Sequence, residues 1–213
     1  MNFDISTFEE SALWLVEHGY QVVRMGAGSE TPLITSHPQM VDYANSQHRS
    51  EFLDIYIAAT CSFAVSTQTG PDAVCLAFRR PVCYIDVSRF SQFFFGTKLA
   101  WWNPAELWQT GSRLSLRDVL IGPVGNIKDP NDFIKFGVTQ IRSDRSMIAK
   151  LVACFTESFE KQFVQSETDE VVQHSVQRSI EELMGIDGRQ QFGRITAVLN
   201  PAFARQSGDW YLV

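Results

Sequence analysis

Helical and strand patterns alternate at short intervals through the first 87 residues, and this alternation limits the possible folds more than any other feature of the chain. Apolar residues at helical spacing predict helices over 7–18, 50–59 and 71–78. Short runs rich in β-branched residues predict strands over 20–24, 40–44, 62–65 and 82–85. These strands lack strict alternation, which is typical of a parallel sheet covered on both faces. We therefore expect an α/β fold with a Rossmann-like parallel sheet flanked by helices.

Beyond residue 87 the pattern changes to a loop-rich stretch with many aromatic residues, and it becomes regular again after residue 145. Apolar spacing there predicts helices over 146–163 and 169–184. The chain has 213 residues, 45% of them hydrophobic, which is enough for a sizeable core. Since we find no internal repeat and no linker, we expect one domain over residues 1–213. Its parts are a core over 1–87, a loop-rich aromatic segment over 88–145 and a helical C-terminal part over 146–213.

Two groups of apolar residues carry expectations about packing. The expected packed positions of the helix over 50–59 are Phe52, Leu53, Ile55, Tyr56 and Ala59. The aromatic segment contains Phe93-Phe94-Phe95 and Trp101-Trp102. These aromatic residues form either part of the core or an exposed surface for a partner, such as a second copy of the chain.

Composition and charge exclude several classes of function. Eighteen Lys and Arg against 24 Asp and Glu give a net charge of −6, so no overall basic field attracts nucleic acid or an anionic membrane surface. No run of about 18 apolar residues predicts a membrane span, and residues 1–10 lack the pattern of a signal peptide. Four cysteines without a CxxC pair predict buried free thiols rather than a metal site. We therefore expect a soluble, cytoplasmic protein with no metal and no cofactor.

The segment 62–73 is the strongest candidate for a binding site. Its predicted strand runs into the small hydroxyl residues Ser66, Thr67 and Thr69 and then into Gly70, and a helix begins with Pro71. The free amides of a first helical turn, the helix dipole and these hydroxyls together form a site for an anion. Loops at the carboxyl ends of parallel strands are where α/β sheets bind ligands. The alternative is that Thr69 only caps the helix.

Arg24 ends the strand over 20–24 and is a second candidate. In a parallel sheet its guanidinium lies at the same edge as the Ser66–Gly70 loop, where it is suited to pairing with a phosphate. The equally supported alternative is that Arg24 forms a surface ion pair with Asp42 or Asp54. The glycines at 26 and 28 are not followed by the start of a helix, so the sequence does not predict a dinucleotide fingerprint.

Asp42 and Tyr43 form a polar, aromatic cluster between a strand and a helix. Tyr43 is suited to stacking on a base and Asp42 to accepting a hydrogen bond from a ribose or sugar hydroxyl. Alternatively, Ser46 or Ser50 caps the next helix and Asp42 stays solvated. The four His residues lie in no nucleophile pattern, and the chain has no P-loop, so no catalytic residue is predicted.

The order of the motifs resembles that of a family of bacterial glycosyltransferases. The motifs are Val22-Val23-Arg24-Met25-Gly26, Asp42-Tyr43-Ala44-Asn45-Ser46, Arg49-Ser50-Glu51, Ser66-Thr67-Gln68-Thr69-Gly70 and Asn200-Pro201-Ala202-Phe203. The resemblance covers most of residues 1–87 and, more weakly, the C-terminal part.

The resemblance implies one lobe of a two-lobed GT-B glycosyltransferase, the lobe that binds a nucleotide-sugar donor. By position, Arg24 and Gly26 face the nucleotide, Asp42 and Tyr43 its base or ribose, and Ser66, Thr67, Thr69 and Gly70 its diphosphate. Such enzymes need no metal, because amides, hydroxyls and an Arg stabilise the departing diphosphate. The expected partners are a nucleotide sugar and a second, N-terminal lobe that this chain lacks. The alternatives are a non-catalytic binding or assembly module of the same fold and an enzyme that acts on sugar phosphates.

Overall fold

The architecture follows from a computed structural model that describes residues 3–27, 31–33, 37–90, 93, 97–127, 129, 131–160, 166–186 and 196–206. The helices are α1 (Glu9–Glu17), α2 (Glu51–Thr60), α3 (Gly70–Ala77), α4 (Leu116–Ile121), α5 (Asp132–Lys135), α6 (Arg145–Phe159), α7 (Glu167–Ile186) and α8 (Pro201–Ala204). The strands are β1 (Val22–Val23), β2 (Met40–Val41), β3 (Ala64–Ser66), β4 (Val82–Val87), β5 (Ala100–Pro104), β6 (Glu106–Gln109), β7 (Ser112–Arg113), β8 (Val138–Ile141) and β9 (Val198–Leu199).

A parallel sheet with the strand order β3-β4-β5-β9 lies at the centre of the fold. Val82 at the start of β4 is in register with Ala64 on one side and Ala100 on the other, and all six residues of β4 are buried. Helix α3 connects β3 to β4 and packs against α2, while α6 packs against β4 and α1 against α6. The predicted α/β fold, a parallel sheet flanked by helices, is confirmed.

The predicted helices and strands of the first 87 residues are present, with ends shifted by a few residues. Ser50 is the N-cap of α2, where its hydroxyl accepts a hydrogen bond from the Leu53 amide at 3.2 Å. Gly19 follows α1 with a φ of +86°, a left-handed conformation that favours glycine. The helix predicted over 146–163 ends at Phe159, and residues 161–163 lie outside the described ones.

The segment 88–145 contains more regular structure than the sequence pattern indicates. It supplies the third strand of the parallel sheet, β5, and then an antiparallel sheet with the order β7-β6-β8. The sequence of β5, Ala-Trp-Trp-Asn-Pro, combines two Trp, which favour strands, with Ala, Asn and Pro, which do not, so its propensity for a strand is mixed. Pairing with β4 on one side and β9 on the other makes it a strand.

The aromatic residues of this segment belong to the core where the structure describes them. Phe90, Phe93 and Trp102 are at most 2% exposed, and their rings pack against one another and against Tyr84. Phe94 and Phe95 lie outside the described residues. Of the two interpretations left open above, the core is therefore the one found for Phe93 and Trp102.

The packed positions expected in α2 are wrong for its three largest side chains. Phe52 is 73% exposed, Ile55 52% and Tyr56 53%, whereas Ala58 is buried. The helix is apolar on nearly all sides, so periodicity did not indicate which side faces the rest of the fold.

The cysteines are free thiols, as predicted: Cys75, Cys83 and Cys154 are buried and Cys61 is partly buried. Burial raises the pKa of the Cys154 thiol to about 11. Among the described residues, no three His, Cys, Asp or Glu side chains lie close enough together to hold a metal ion. None of the helices in the described part of the chain is both long enough and apolar enough to span a bilayer.

Candidate functional site

A cavity of about 150 Å³ lies where β3 and β4 end, at the edge of the sheet where parallel α/β sheets bind ligands. Its lining residues are Gln68, Thr69, Gly70, Asp72, Ala73, Tyr84, Arg89 and Phe93. A larger and more open cavity of about 400 Å³ lies beside α4. The first cavity is the better candidate, because a carboxylate, a phenol and a guanidinium converge on it from three different segments.

The loop after β3 is tied to the loop after β4 through Gln68. The Gln68 side-chain oxygen accepts hydrogen bonds from the Ser88 and Arg89 amides, each at 3.0 Å, and its amide nitrogen donates to the Arg89 carbonyl at 3.0 Å. The Arg89 guanidinium donates in turn to the Gln68 carbonyl. Gln68 has a φ of +60°, a costly conformation for a residue other than glycine, and these bonds hold it there.

Asp72 occupies the N-terminus of α3. Its carboxylate accepts hydrogen bonds from the Thr69 amide at 2.8 Å and from the Ser66 hydroxyl at 2.7 Å. Thr69 is the N-cap of α3, so the capping role predicted as one alternative is present. Pro71 has no amide hydrogen to offer. The anion site expected from the sequence is therefore largely filled by the chain's own carboxylate.

Tyr84 contributes a buried hydroxyl to the cavity. The residue is 2% exposed, and its ring packs edge-on against Phe93 with the centroids 5.0 Å apart. Within the described residues its hydroxyl has no hydrogen-bond partner of ordinary geometry, although the Asp72 carboxylate lies close enough to interact with it. Burial, and then the charge of nearby Asp72, raise the pKa of this phenol. Tyr84 therefore stays protonated at neutral pH and can donate a hydrogen bond, and a ligand in the cavity would give its hydroxyl a well-aligned acceptor.

Charges of both signs line the cavity. Burial raises the pKa of Asp72 above its ordinary value, although its interactions with Ser66, Thr69 and Tyr84 and the positive charge of Arg89 oppose this shift. The single carboxylate and the single guanidinium of the lining roughly balance each other. The arrangement suits a small ligand with hydroxyl groups and one anionic group, because Asp72 accepts hydrogen bonds while Arg89 and Tyr84 donate them.

The expected position of Arg24, beside the Ser66–Gly70 loop at the edge of one parallel sheet, is wrong: β1 pairs with β2 in a two-stranded sheet of its own, and Arg24 forms a separate cluster with Asp42. Arg24 donates to the Thr31 carbonyl at 2.5 Å and pairs with the Asp42 carboxylate at 3.3 Å, which is one of the ion pairs foreseen for it. Asp42 also accepts from the Leu33 amide at 3.0 Å and from the Asn45 side chain at 2.8 Å. Burial opposes ionisation of Asp42, but these donors and Arg24 lower its pKa.

Tyr43 and Gly26 belong to this second cluster. Tyr43 is 5% exposed, and its hydroxyl both donates to the Ser50 carbonyl at 3.1 Å and accepts from the Ser50 amide at 3.0 Å. Its ring is therefore not presented for stacking on a base. Gly26 has a φ of +147°, with Ala44 3.8 Å from where a Cβ would be.

The structure thus divides the predicted site residues into two groups. Thr69 and Gly70 line the cavity, Ser66 contacts it through Asp72, and Thr67 lies in the same loop. The residues grouped around the Arg24–Asp42 ion pair are Arg24, Gly26, Asp42 and Tyr43. Sequence reasoning missed Gln68, Asp72, Tyr84 and Arg89. The spacing Thr69-x-x-Asp72 is a readable capping signal, but nothing in the sequence marks Tyr84 or Arg89.

Comparison with protein-family models, curated proteins and solved structures finds no match for this chain.

Proposed function

We propose that the cavity at the ends of β3 and β4 binds a glycosyl phosphate, the part that nucleotide sugars and sugar phosphates share. The observation that carries the proposal is the buried Tyr84 hydroxyl, which lies beside Asp72, has no hydrogen-bond partner of ordinary geometry among the described residues and borders the same cavity as Arg89. A buried donor without a partner costs about 1–3 kcal/mol, and a ligand oxygen removes that cost.

Each lining residue has a role in this proposal. The Arg89 guanidinium pairs with the phosphate, and the Tyr84 hydroxyl donates to a phosphate or sugar oxygen. The Asp72 carboxylate accepts a hydrogen bond from a sugar hydroxyl. Two of these three side chains are buried, so the hydrogen bonds form away from competing water.

The resemblance to glycosyltransferases favours a nucleotide sugar as the natural form of the ligand. The cavity of about 150 Å³ is smaller than the roughly 300–1,000 Å³ of a typical ligand cleft. It therefore accommodates the sugar and its phosphate, while the nucleoside extends outside. In the proposal, an acceptor hydroxyl held by a second lobe attacks the anomeric carbon and gives its proton to a base on that lobe. The new carbon–oxygen bond forms as the bond to the phosphate oxygen breaks, and the nucleoside diphosphate leaves.

Thermal unfolding with a panel of ligands tests the proposal. UDP-, GDP-, ADP- and CDP-sugars, sugar monophosphates and free nucleosides are each added to the full chain. At a concentration about 100-fold above Kd, a ligand adds about 2.7 kcal/mol. For a chain of this size that raises Tm by about 5–10 °C. A shift with nucleotide sugars alone supports the donor role, and a larger shift with sugar monophosphates supports the sugar-phosphate enzyme.

Variants connect the shift to the cavity. We expect Tyr84→Phe and Arg89→Gln each to remove most of the ligand-induced rise in Tm. Arg117→Gln on α4 is the matched control, because this exposed arginine lines the other cavity. A panel without any shift, or a shift that survives both cavity substitutions, would refute the proposal.

A further inference from the structure

Helix α2 exposes an apolar face that the rest of the chain leaves uncovered among the described residues. We call Phe52, Ile55, Tyr56 and Ala59 the outer face of α2. The first three are 52–73% exposed, and Phe52 stacks on Tyr56 with the ring centroids 5.9 Å apart. A helix that is apolar on all sides is normally covered, and exposed clusters of large apolar side chains mark interfaces.

The outer face is complementary in shape to a second copy of itself. Its residues stand at positions i, i+3, i+4 and i+7, so they form one stripe along the helix. Two copies of α2 paired antiparallel, with a two-fold axis between Ile55 and Tyr56, place Phe52 of each copy opposite Ala59 of the other. Helices pack closely when large side chains lie opposite small ones. The two-fold axis makes the two Phe52–Ala59 contacts identical.

The charges at the two ends of α2 are complementary in the same arrangement. Glu51 is exposed at the N-terminal end of the helix. The Arg80 guanidinium lies at the C-terminal end, where its Nε donates to the Ala59 carbonyl at 2.8 Å. Asp54 pairs with Arg49 of its own chain at 2.8 Å. Antiparallel pairing therefore brings Glu51 of one copy close to Arg80 of the other, and such rim charges favour this orientation over the parallel one.

We propose that the outer face of α2 is a homodimer interface, in which two copies of the chain pair antiparallel about a two-fold axis. Ile55 and Tyr56 lie at the centre of this interface, the aromatic ring of Phe52 is an anchor against Ala59 of the other copy, and Glu51 with Arg80 forms the charged rim. The inference does not depend on a ligand in the cavity at the ends of β3 and β4.

Sedimentation velocity of the full chain over a range of concentrations tests this interface. We expect a dimer in equilibrium with monomer, and we expect Phe52→Ser to raise the dimer dissociation constant by at least about tenfold, as the loss of an aromatic anchor does. Ile134→Ser is the matched control, since Ile134 on α5 is 79% exposed and lies outside the outer face. A chain that stays monomeric at the highest attainable concentration overturns the proposal, and so does a dimer unaffected by Phe52→Ser.

Exchange of the rim charges tests the antiparallel geometry. Glu51→Arg and Arg80→Glu each place like charges together across the interface and are expected to weaken the dimer. The double variant restores opposite charges and is expected to recover most of the lost affinity. Arg80→Glu also removes the hydrogen bond to the Ala59 carbonyl, so the thermal stability of this variant is measured as well. Glu51→Arg cannot repair damage to the fold, so recovery in the double variant would come from the restored charge pair. Additive weakening in the double variant would exclude this orientation.

Discussion

Asp72 decides what the N-terminus of α3 offers to a ligand. A helix N-terminus attracts anions through its free amides, but here the carboxylate of Asp72 accepts from the Thr69 amide, and Pro71 supplies no donor. Any phosphate at this edge of the sheet therefore depends on Arg89 and Tyr84 more than on the helix. In the proposed complex the loop therefore holds only the phosphate that is attached to the sugar, together with the sugar hydroxyls.

Two glycines of the predicted site differ in their backbone requirements. Gly26 has a φ of +147°, whereas Gly70 begins α3 and has open space where a Cβ would be. We expect Gly26→Ala to destabilise the fold by about 1–3 kcal/mol through backbone strain. Gly70→Ala is expected to raise stability by about 0.4–1 kcal/mol, because it restricts the unfolded chain. Urea unfolding measures both, and a loss of stability in Gly70→Ala would contradict this account.

At the scale of elements, β5 holds the two halves of the chain together. The Asn200 backbone amide donates to the Trp102 carbonyl at 2.7 Å, and the Asn103 side-chain amide donates to the Asp86 carboxylate on β4 at 3.1 Å. Asp86 also accepts from the Ser143 amide at 2.9 Å, just before α6. The strand therefore joins β4, α6 and the C-terminal part in one network of hydrogen bonds.

Paired substitutions in β5 test its contribution. Trp102 is 1% exposed against Phe90 and Phe93, whereas its neighbour Trp101 is partly exposed and packs on Phe155. We expect Trp102→Ala to lower the free energy of unfolding by about 3–5 kcal/mol, because it opens a cavity in the core. Trp101→Ala is the comparison and should cost clearly less. Denaturant unfolding followed by circular dichroism gives both values, and equal losses would show that β5 is not packed as described.

At the scale of the whole molecule, buried carboxylates impose opposite dependences of stability on pH. Burial raises the pKa of Asp72. Burial also opposes ionisation of Asp169, but hydrogen bonds from Arg205 at 2.5 and 3.0 Å and from Ser166 lower its pKa. A raised folded pKa contributes stability at low pH that is lost as pH rises through it. A lowered pKa contributes stability at higher pH that is lost as pH falls through it.

Asparagine substitutions at these two positions are expected to show the two opposite signs. As pH rises from about 4, the ordinary Asp pKa, the unsubstituted chain loses stability because the buried Asp72 carboxyl must ionise. Asp72→Asn has no carboxyl there, so its stability relative to the unsubstituted chain increases over the same range. Asp169→Asn loses about 1–3 kcal/mol at pH 7. That loss shrinks as pH falls below about 4. Urea unfolding between acid and neutral pH measures both trends, and slopes of the same sign would contradict the assignment.

Local structure was predictable from the sequence, because it depends on residues close together in the chain. Helical spacing placed α2 and α3 to within one or two residues, and the strand–turn–helix pattern over 62–73 located the loop that lines the cavity. Alternating strands and helices were enough for the α/β class. Thr69 and Gly70 could be predicted at the cavity for the same reason.

Contacts between distant parts of the chain were decided only by the tertiary structure. The sequence by itself determined that α2 is helical and apolar, but packing against α3 decided that Phe52 faces outward. Pairing with β4 and β9 made β5 a strand although its propensity is mixed. Asp72, Tyr84 and Arg89 come from separate segments, and their convergence depends on the register of β3 against β4. Local sequence patterns do not predict contacts between residues that are far apart in the chain, because strand register and side-chain packing depend on the fold as a whole.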